Sequence, residues 1–373
     1  MQQLLLDGNY LLHKNVRTLH KLNTLYGDLY NALTKNVEKY KHLHKFNKIF
    51  IVSDSKKKSW RLQESDIYKG TREQDMEIDW KFVYKTYDQW KSDMTEHYNV
   101  VQRNHIEGDD WIAVLVRKGN AMGYSNVIIA SDRDMQQLVS YRLKGEKSYI
   151  NIQINDYNGK EKVFVPEGWQ IFLNEYDNNR SNDIFNLDDG HSWVSFLNRI
   201  IRNFQKVEIN HTEKLFCKLV QGDKGDNVNS IHVRPQKTNT VPFEVGDDVL
   251  YGDAIVNIVA IKDNEADIES KLISATVPLT ELHRYRRIGD KGAVKIWNFY
   301  KENFKPHFNT DEETFGDDVL LSYQRSHKIT LTDEQIADAK VKLIQNAKLM
   351  ELHYKHYPEW VMEEIADELA DKI

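Results

Sequence analysis

The residues of this chain best suited to chemistry are acids that close short apolar runs. Asp7 ends Leu4-Leu5-Leu6-Asp7-Gly8-Asn9, and Asp54 ends Ile49-Phe50-Ile51-Val52-Ser53-Asp54. Asp132 and Asp134 follow Val127-Ile128-Ile129-Ala130-Ser131. Glu107, Asp109 and Asp110 open a further apolar stretch as Glu-Gly-Asp-Asp, and Asp223 and Asp226 fall in Gln221-Gly222-Asp223-Lys224-Gly225-Asp226-Asn227. Singly, an aspartate after a strand is usually a turn residue or a helix cap. Three strand ends in succession, with two more acidic motifs, are not explained by capping. In an open α/β sheet the C-terminal ends of the strands share one edge, so Asp7, Asp54, Asp132 and Asp134 are expected to converge within several ångströms. Carboxylates so crowded repel one another unless divalent cations neutralise them. An all-oxygen donor set suits a hard ion, Mg²⁺ or Mn²⁺. Two such ions roughly 3.5–4 Å apart activate water and stabilise the leaving oxygen of a phosphodiester.

The elements that must position these acids are legible from pattern. Residues 4–6, 48–52, 126–130 and 147–154 are short apolar runs suited to buried strands. Residues 15–45 and 60–100 are expected to be helical, and Met135–Val139 to start a helix. Residues 108–118 make a helix with Asp at its start and Arg-Lys at its end, the polarity its dipole prefers. Such alternation implies an α/β fold with a mostly parallel central sheet flanked by helices. Residues 166–230 are expected to be mainly helical, with a polar break at 177–189. Residues 231–287 mix short β-like runs with Pro235, Pro242 and Pro278 and are expected to form an insertion or small subdomain. Residues 288–373 return to a charged helical pattern. The expected division is thus 1–165, 166–230, 231–287 and 288–373.

With 373 residues, 40% of them hydrophobic, the chain can bury a substantial core. No apolar run approaches the roughly 20 residues of a membrane span, and the first residues read as a strand rather than a signal peptide. A single cysteine, Cys217, excludes an internal disulfide and a multi-cysteine zinc site. These features point to a reducing cytoplasm. Net charge is −6, which taken alone disfavours a phosphate-rich partner. The distribution matters more: basic residues gather at Lys56–Arg61, Lys69–Arg72 and His283–Arg287, away from the acidic run ends. Lys56-Lys57-Lys58 reads equally as phosphate steering or a surface loop, and His283–Arg287 as phosphate contacts or a solvated turn.

In order and spacing these motifs resemble the flap endonuclease-like 5′-nucleases, across residues 4–230 and more loosely at Asn346–Leu352 and Pro358. The likeness is strongest to bacteriophage members of RNase H type, which remove RNA primers. It implies a PIN-like nuclease fold and a Mg²⁺-dependent 5′-to-3′ exonuclease or flap endonuclease, with Mn²⁺ able to substitute. By resemblance Asp7, Asp54, Glu107, Asp109 and Asp132 would surround the first ion, with Asp132 central to catalysis. Asp134, Asp223 and Asp226 would hold the second, partly through waters, with Asp110 behind them. A helical arch is implied at about 60–100, bearing Arg61 and Tyr68-Lys69-Gly70-Thr71-Arg72. Lys69 and Arg72, three apart on a helix, would share a face towards the scissile phosphate, and Tyr68 would stack on an unpaired base.

The family continues after its Gly-Asp-x-x-Asp-Asn motif into a helix–hairpin–helix that grips duplex backbone, often with K⁺. Here the insertion interrupts that unit, and its second half, with Lys291 and Lys295, comes after residue 287. The implied substrates are DNA and RNA–DNA hybrids with 5′ ends or flaps. Implied partners are a single-strand-binding protein or a sliding clamp, for a monomer in a cytoplasm (a host's, if viral). Two rivals share the sheet: a PIN-type ribonuclease, usually far shorter and without the Gly-Asp-x-x-Asp-Asn region, and a non-catalytic nucleic-acid-binding scaffold, which would have lost acids that are all present here. A haloacid-dehalogenase phosphatase requires Asp-x-Asp after its first strand, and Asp7 is followed by Gly8-Asn9.

Overall fold

The structure, a computed structural model, describes residues 1–65, 68–69, 77–145, 147–157, 160–180, 193–235, 242–251, 254–270, 273–304 and 307–372. It comprises two compact units, Met1–Ile67 with Arg72–Leu215 and Glu351–Ile373, and Tyr68–Thr71 with Phe216–Met350.

The first unit is built on β1 (Gln2–Asp7), β2 (Lys48–Val52), β3 (Asn99–Val101), β4 (Ser125–Ile129), β5 (Tyr141–Arg142), β6 (Tyr149–Tyr157), β7 (Lys160–Pro166) and β8 (Gln205–Ile209). Among the described residues they form an eight-stranded sheet in the order β3-β2-β1-β4-β6-β7-β8, with β5 paired to β6. β1 lies between β2 and β4, and the pairings β3-β2-β1-β4-β6 and β7-β8 are all parallel. Only β5 and β7 run antiparallel to β6.

The continuous apolar runs are explained by helices on both faces. Successive residues alternate sides: Leu4, Leu6, Ile51, Val127 and Ile129 join one core, while Leu5, Phe50, Val52, Ile128 and Ala130 join the other. The first core is covered by α1 (Gly8–Lys21), α2 (Leu25–Lys41) and α3 (Trp80–Met94), with Trp169 and Phe172 of α5 (Trp169–Arg180) and Trp193 and Phe196 of α6 (Trp193–Asn203). The second is covered by α4 (Gly108–Ala121) and by the chain's last helix, Glu359–Leu369.

Chain α7 (His211–Gln221) leads into the second unit, where a two-stranded ribbon pairs β9 (Val233–Pro235) with a later strand. An antiparallel five-stranded sheet follows, made of β10 (Asp248–Tyr251), β11 (Ala254–Lys262), β12 (Glu265–Glu269), β13 (Ser274–Pro278) and β14 (Leu282–His283) around its own apolar core. β15 (Tyr285–Arg287) closes the ribbon, and α8 (Asp290–Asn303), α9 (Phe315–His327) and α10 (Asp333–Met350) complete this unit. The last helix, α11, returns the chain to the first.

The expected fold class stands, with three local corrections. Residues 15–45 are two helices, broken where Asn23 takes a left-handed conformation (φ 57°). Within 60–100 the described helix is α3, preceded by a 3-10 turn at Trp60–Gln63 and followed by the edge strand β3. The helix expected from Met135 is a 3-10 turn, Arg133–Leu138. β7 and β8 were not anticipated, because β7 opens on the charged run Lys160-Glu161-Lys162 and β8 sets Gln205, Lys206 and Glu208 among its apolar residues. Residues 181–189 of the expected polar break lie outside the described residues.

Candidate metal centre

Parallel pairing brings three strand ends to one rim. Asp7 is in register with Val52, and Leu6 with Ile129, so Asp54 and Asp132 follow two and three residues beyond the neighbouring strands' ends. Asp7 also caps α1, its Oδ1 accepting from the Tyr10 N–H at 2.9 Å. Burial, and then the charge of Asp54 and that of Asp132, push its carboxyl up to about 7, against the lowering hydrogen bonds from Tyr10 and Asn9.

Asp54 is exposed but held. Its Oδ1 accepts the Gly108 N–H at 2.7 Å, at the positive end of α4, and its Oδ2 accepts from Asn9 Nδ2 at 2.8 Å. A Cβ at Gly108 would stand 3.2 Å from that Oδ1, which fits glycine to the close approach. Behind Asp54, Ser53 Oγ and Tyr87 Oη lie 2.7 Å apart. The buried Lys91 ammonium donates to Gln102 Oε1 at 2.8 Å, and Gln102 Nε2 donates to the Asp54 carbonyl at 2.5 Å.

Glu107 and Asp110 stand one turn apart at the mouth of α4, both buried. The Arg61 guanidinium, 1% exposed, reaches Glu107 Oε2 at 2.7 Å and Asp110 Oδ1 at 2.6 Å. Trp60 Nε1 donates to Asp110 Oδ2 at 3.0 Å. One expectation is corrected by this arrangement. Arg61 is enclosed among carboxylates and is not presented to nucleic acid. Asp110 is fully buried and engaged by Arg61 and Trp60, so it does not itself face an ion. Asp109, between them, is partly exposed.

Asp132 is exposed and caps the 3-10 turn, accepting the Asp134 N–H at 2.7 Å, while Asp134 is buried. Buried Gln153 on β6 steadies the loop by donating to the carbonyls of Ala130 (3.0 Å) and Asp132 (2.8 Å). Asn9, Tyr87, Lys91, Gln102 and Gln153 were not singled out from the sequence. Only Asn9, inside Leu-Asp-Gly-Asn, stood close enough to a flagged acid to be found.

Asp223 and Asp226 belong to the second unit. Burial raises the Asp223 carboxyl, but the Lys218 ammonium at 3.1 Å and the N–H groups of Gly225 and Asp226 outweigh it and hold it below its ordinary value. The Asp226 carbonyl accepts the Lys69 N–H at 3.1 Å. Lys69 sits in a turn at φ 55°, a conformation outside the right-handed helix, so the helical face expected for Lys69 and Arg72 does not form at Lys69. Arg72 lies outside the described residues. Tyr68 is buried, its ring beneath the Lys69 ammonium at 5.1 Å, which corrects its assignment as a free stacking platform. Lys291 and Lys295 are both exposed on α8.

Among the described residues no three His, Cys, Asp or Glu side chains are close enough to close around one ion. The convergence is therefore looser than the sequence implied. The donor chemistry still fits a hard cation that keeps several waters and takes only one or two carboxylates directly. Burial first, and then the charges of Asp54 and Asp132, raise the Asp7 carboxyl, and a divalent ion at this rim would compensate the charge of these acids.

Residues 2–165 match the 5′–3′ exonuclease N-terminal resolvase-like domain. The chain is 32% identical over 118 residues to the ribonuclease H of Enterobacteria phage T4, across 30% of this chain and 38% of that protein. It is 27% identical over 175 residues to the thermostable DNA polymerase I of Thermus thermophilus, across 45% of this chain and 20% of that one. The aligned regions thus span well under half the length of either relative. Similarity of fold extends along the whole chain. A bacteriophage T5 protein co-crystallised with metal ions superposes with a TM-score of 0.52 at 12% identity, covering 100% of this chain and 99% of that one. The bacteriophage T5 flap endonuclease, solved as a pseudo-enzyme–product complex with DNA and metal ions, gives 0.53 at 12% identity over 100% and 98%. With ordered acids on the rim of a mostly parallel sheet, residues 2–165 match a 5′–3′ exonuclease N-terminal domain, and the chain as a whole shares the fold of the bacteriophage T5 flap endonuclease.

Proposed function

We propose that this chain hydrolyses phosphodiesters near the 5′ ends or flaps of DNA and RNA–DNA hybrids, using two Mg²⁺ ions or Mn²⁺ in their place. The observation that supports this most is the parallel register of β1, β2 and β4, which carries Asp7, Asp54 and Asp132 to one rim of the sheet. Bound divalent ions would supply an activated water and charge compensation at the leaving oxygen. Asp7, Asp54 and Asp132, with Glu107 and Asp109, are the residues assigned to the first ion, and Asp134, Asp223 and Asp226 to the second. The chain's own residues do the rest. Gly108 and Asn9 orient the Asp54 carboxylate, and Gln153 fixes the loop that presents Asp132. Lys69 and Arg72 are assigned to the scissile phosphate, and Lys291 and Lys295 to the backbone of the duplex.

The direct test incubates 5′-labelled flap, RNA–DNA hybrid and blunt duplex substrates with the protein in Mg²⁺ or EDTA and sizes the products. Short 5′ products that require Mg²⁺ are expected. Products unaffected by EDTA, or none from any substrate, would reject the assignment. Binding without cleavage would favour the non-catalytic scaffold.

A further inference from the structure

The doubled acid of Glu107-Gly108-Asp109-Asp110 leaves one member, Asp110, with no access to solvent, and the structure shows what occupies it. Asp110 Oδ1 receives Arg61 Nη2 at 2.6 Å. Its Oδ2 receives Arg61 Nη1 at 3.0 Å, Trp60 Nε1 at 3.0 Å and the Glu107 N–H at 3.1 Å. Arg61 Nη1 also reaches Glu107 Oε2 at 2.7 Å. One planar guanidinium thus spans the cap residue of α4 and the residue three further on, a geometry that a fork can satisfy and a single ammonium cannot. Trp60 lies against the guanidinium at 4.6 Å and against Tyr357 at 5.5 Å, which closes the cluster from water.

A buried ion cluster is a poor device for stability alone, since apolar side chains of similar size often do as well. Its position suggests another use. The residue after Glu107 is Gly108, whose N–H holds Asp54. Whatever fixes the first turn of α4 therefore fixes two assigned ligands together.

We propose that Arg61 is a positioning residue of the metal centre, setting the Glu107 carboxylate in place with Asp110 as its anchor. This rests on the metal-centre reading above. Arg61 acts through Glu107 and the first turn of α4, and touches neither ion nor substrate. Groups that orient a metal's carboxylate ligands typically change metal affinity by roughly 10–100-fold when lost.

The test measures Mn²⁺ binding to the full-length, metal-free protein without substrate, by electron paramagnetic resonance, with thermal unfolding recorded for each variant. R61K keeps the charge and most of the stem but cannot bridge both carboxylates. It is expected to stay folded and to bind Mn²⁺ about tenfold more weakly or worse. In an E107Q background the same substitution should cost less than about twofold, because its route to the ion is gone. D110N, which loosens the anchor and leaves Arg61 and Glu107 in place, should also weaken Mn²⁺ binding and serves as the readout should R61K fail to fold. A folded R61K or D110N protein with wild-type Mn²⁺ affinity overturns the proposal. So does an R61K loss that is as large with E107Q as without it. Wild-type protein that binds no Mn²⁺ rejects the underlying metal-centre reading instead.

Discussion

Asn9 and Asp54, 45 residues apart in sequence, hold each other by a reciprocal pair of hydrogen bonds. Asn9 Nδ2 donates to Asp54 Oδ2 at 2.8 Å, and the Asp54 N–H donates to Asn9 Oδ1 at 3.1 Å. Asp54 is exposed, so water can replace a lost donor and the fold should tolerate N9A. What should change is the orientation of the carboxylate. N9A is expected to raise the half-saturating Mg²⁺ concentration for cleavage by about tenfold with little shift in thermal midpoint. A Mg²⁺ titration superimposable on wild type would remove Asn9 from the site.

Gly8 lies between that pair and the buried Tyr87. A Cβ built there would stand 2.2 Å from Tyr87 Oη and 2.8 Å from the Val52 carbonyl, neither of which can move without disturbing β2 or the core. G8A should therefore destabilise the protein by about 1–3 kcal/mol or more, read as a lower urea midpoint. Y87F removes the nearest atom and should recover part of the loss in the double variant. A G8A midpoint equal to wild type would show that the rim is looser than described.

His353 carries a pH dependence distant from the acids. Burial and the nearby Arg117 guanidinium push its imidazole down to about 4, and its Nδ1 accepts the Lys355 N–H at 3.1 Å, which requires that nitrogen to be unprotonated. Between pH 6.5 and about 4 the unfolded chain takes up a proton that the folded chain refuses. The contribution to stability is therefore intact above pH 6.5 and is lost as pH falls towards 4. H353N, which does not titrate, should gain on wild type by on the order of 1 kcal/mol when urea midpoints near the two ends of that window are compared. An unchanged difference between the two proteins across the window would contradict the assignment.

The acids at the rim could be read from sequence because a buried parallel strand is a continuous apolar run, and the residue that ends it stands out. Asp7 and Asp132 were visible for that reason. Their supports were not, since Gln153 and Lys91 lie far along the chain and are polar residues in otherwise ordinary contexts. Arg61 was misplaced because a cation beside other cations reads as a surface residue. Only the structure shows Glu107 and Asp110 folding back onto it. The break at Asn23 and the turn at Lys69 depend on positive φ angles, which the spacing of apolar residues does not report. The mostly parallel character of the sheet followed from the alternation of strand and helix, whereas β8 did not, because its exposed residues diluted the apolar signal.

The most direct measurement titrates metal-free wild-type and D7N protein with Mn²⁺ and counts bound ions against Mg²⁺ as competitor. Wild type should bind Mn²⁺ at two sites that Mg²⁺ displaces, and D7N, still folded, should lose the tighter of them. Wild-type protein that binds none, or D7N that binds as wild type does, would contradict the assignment of Asp7, Asp54 and Asp132 to a shared metal centre.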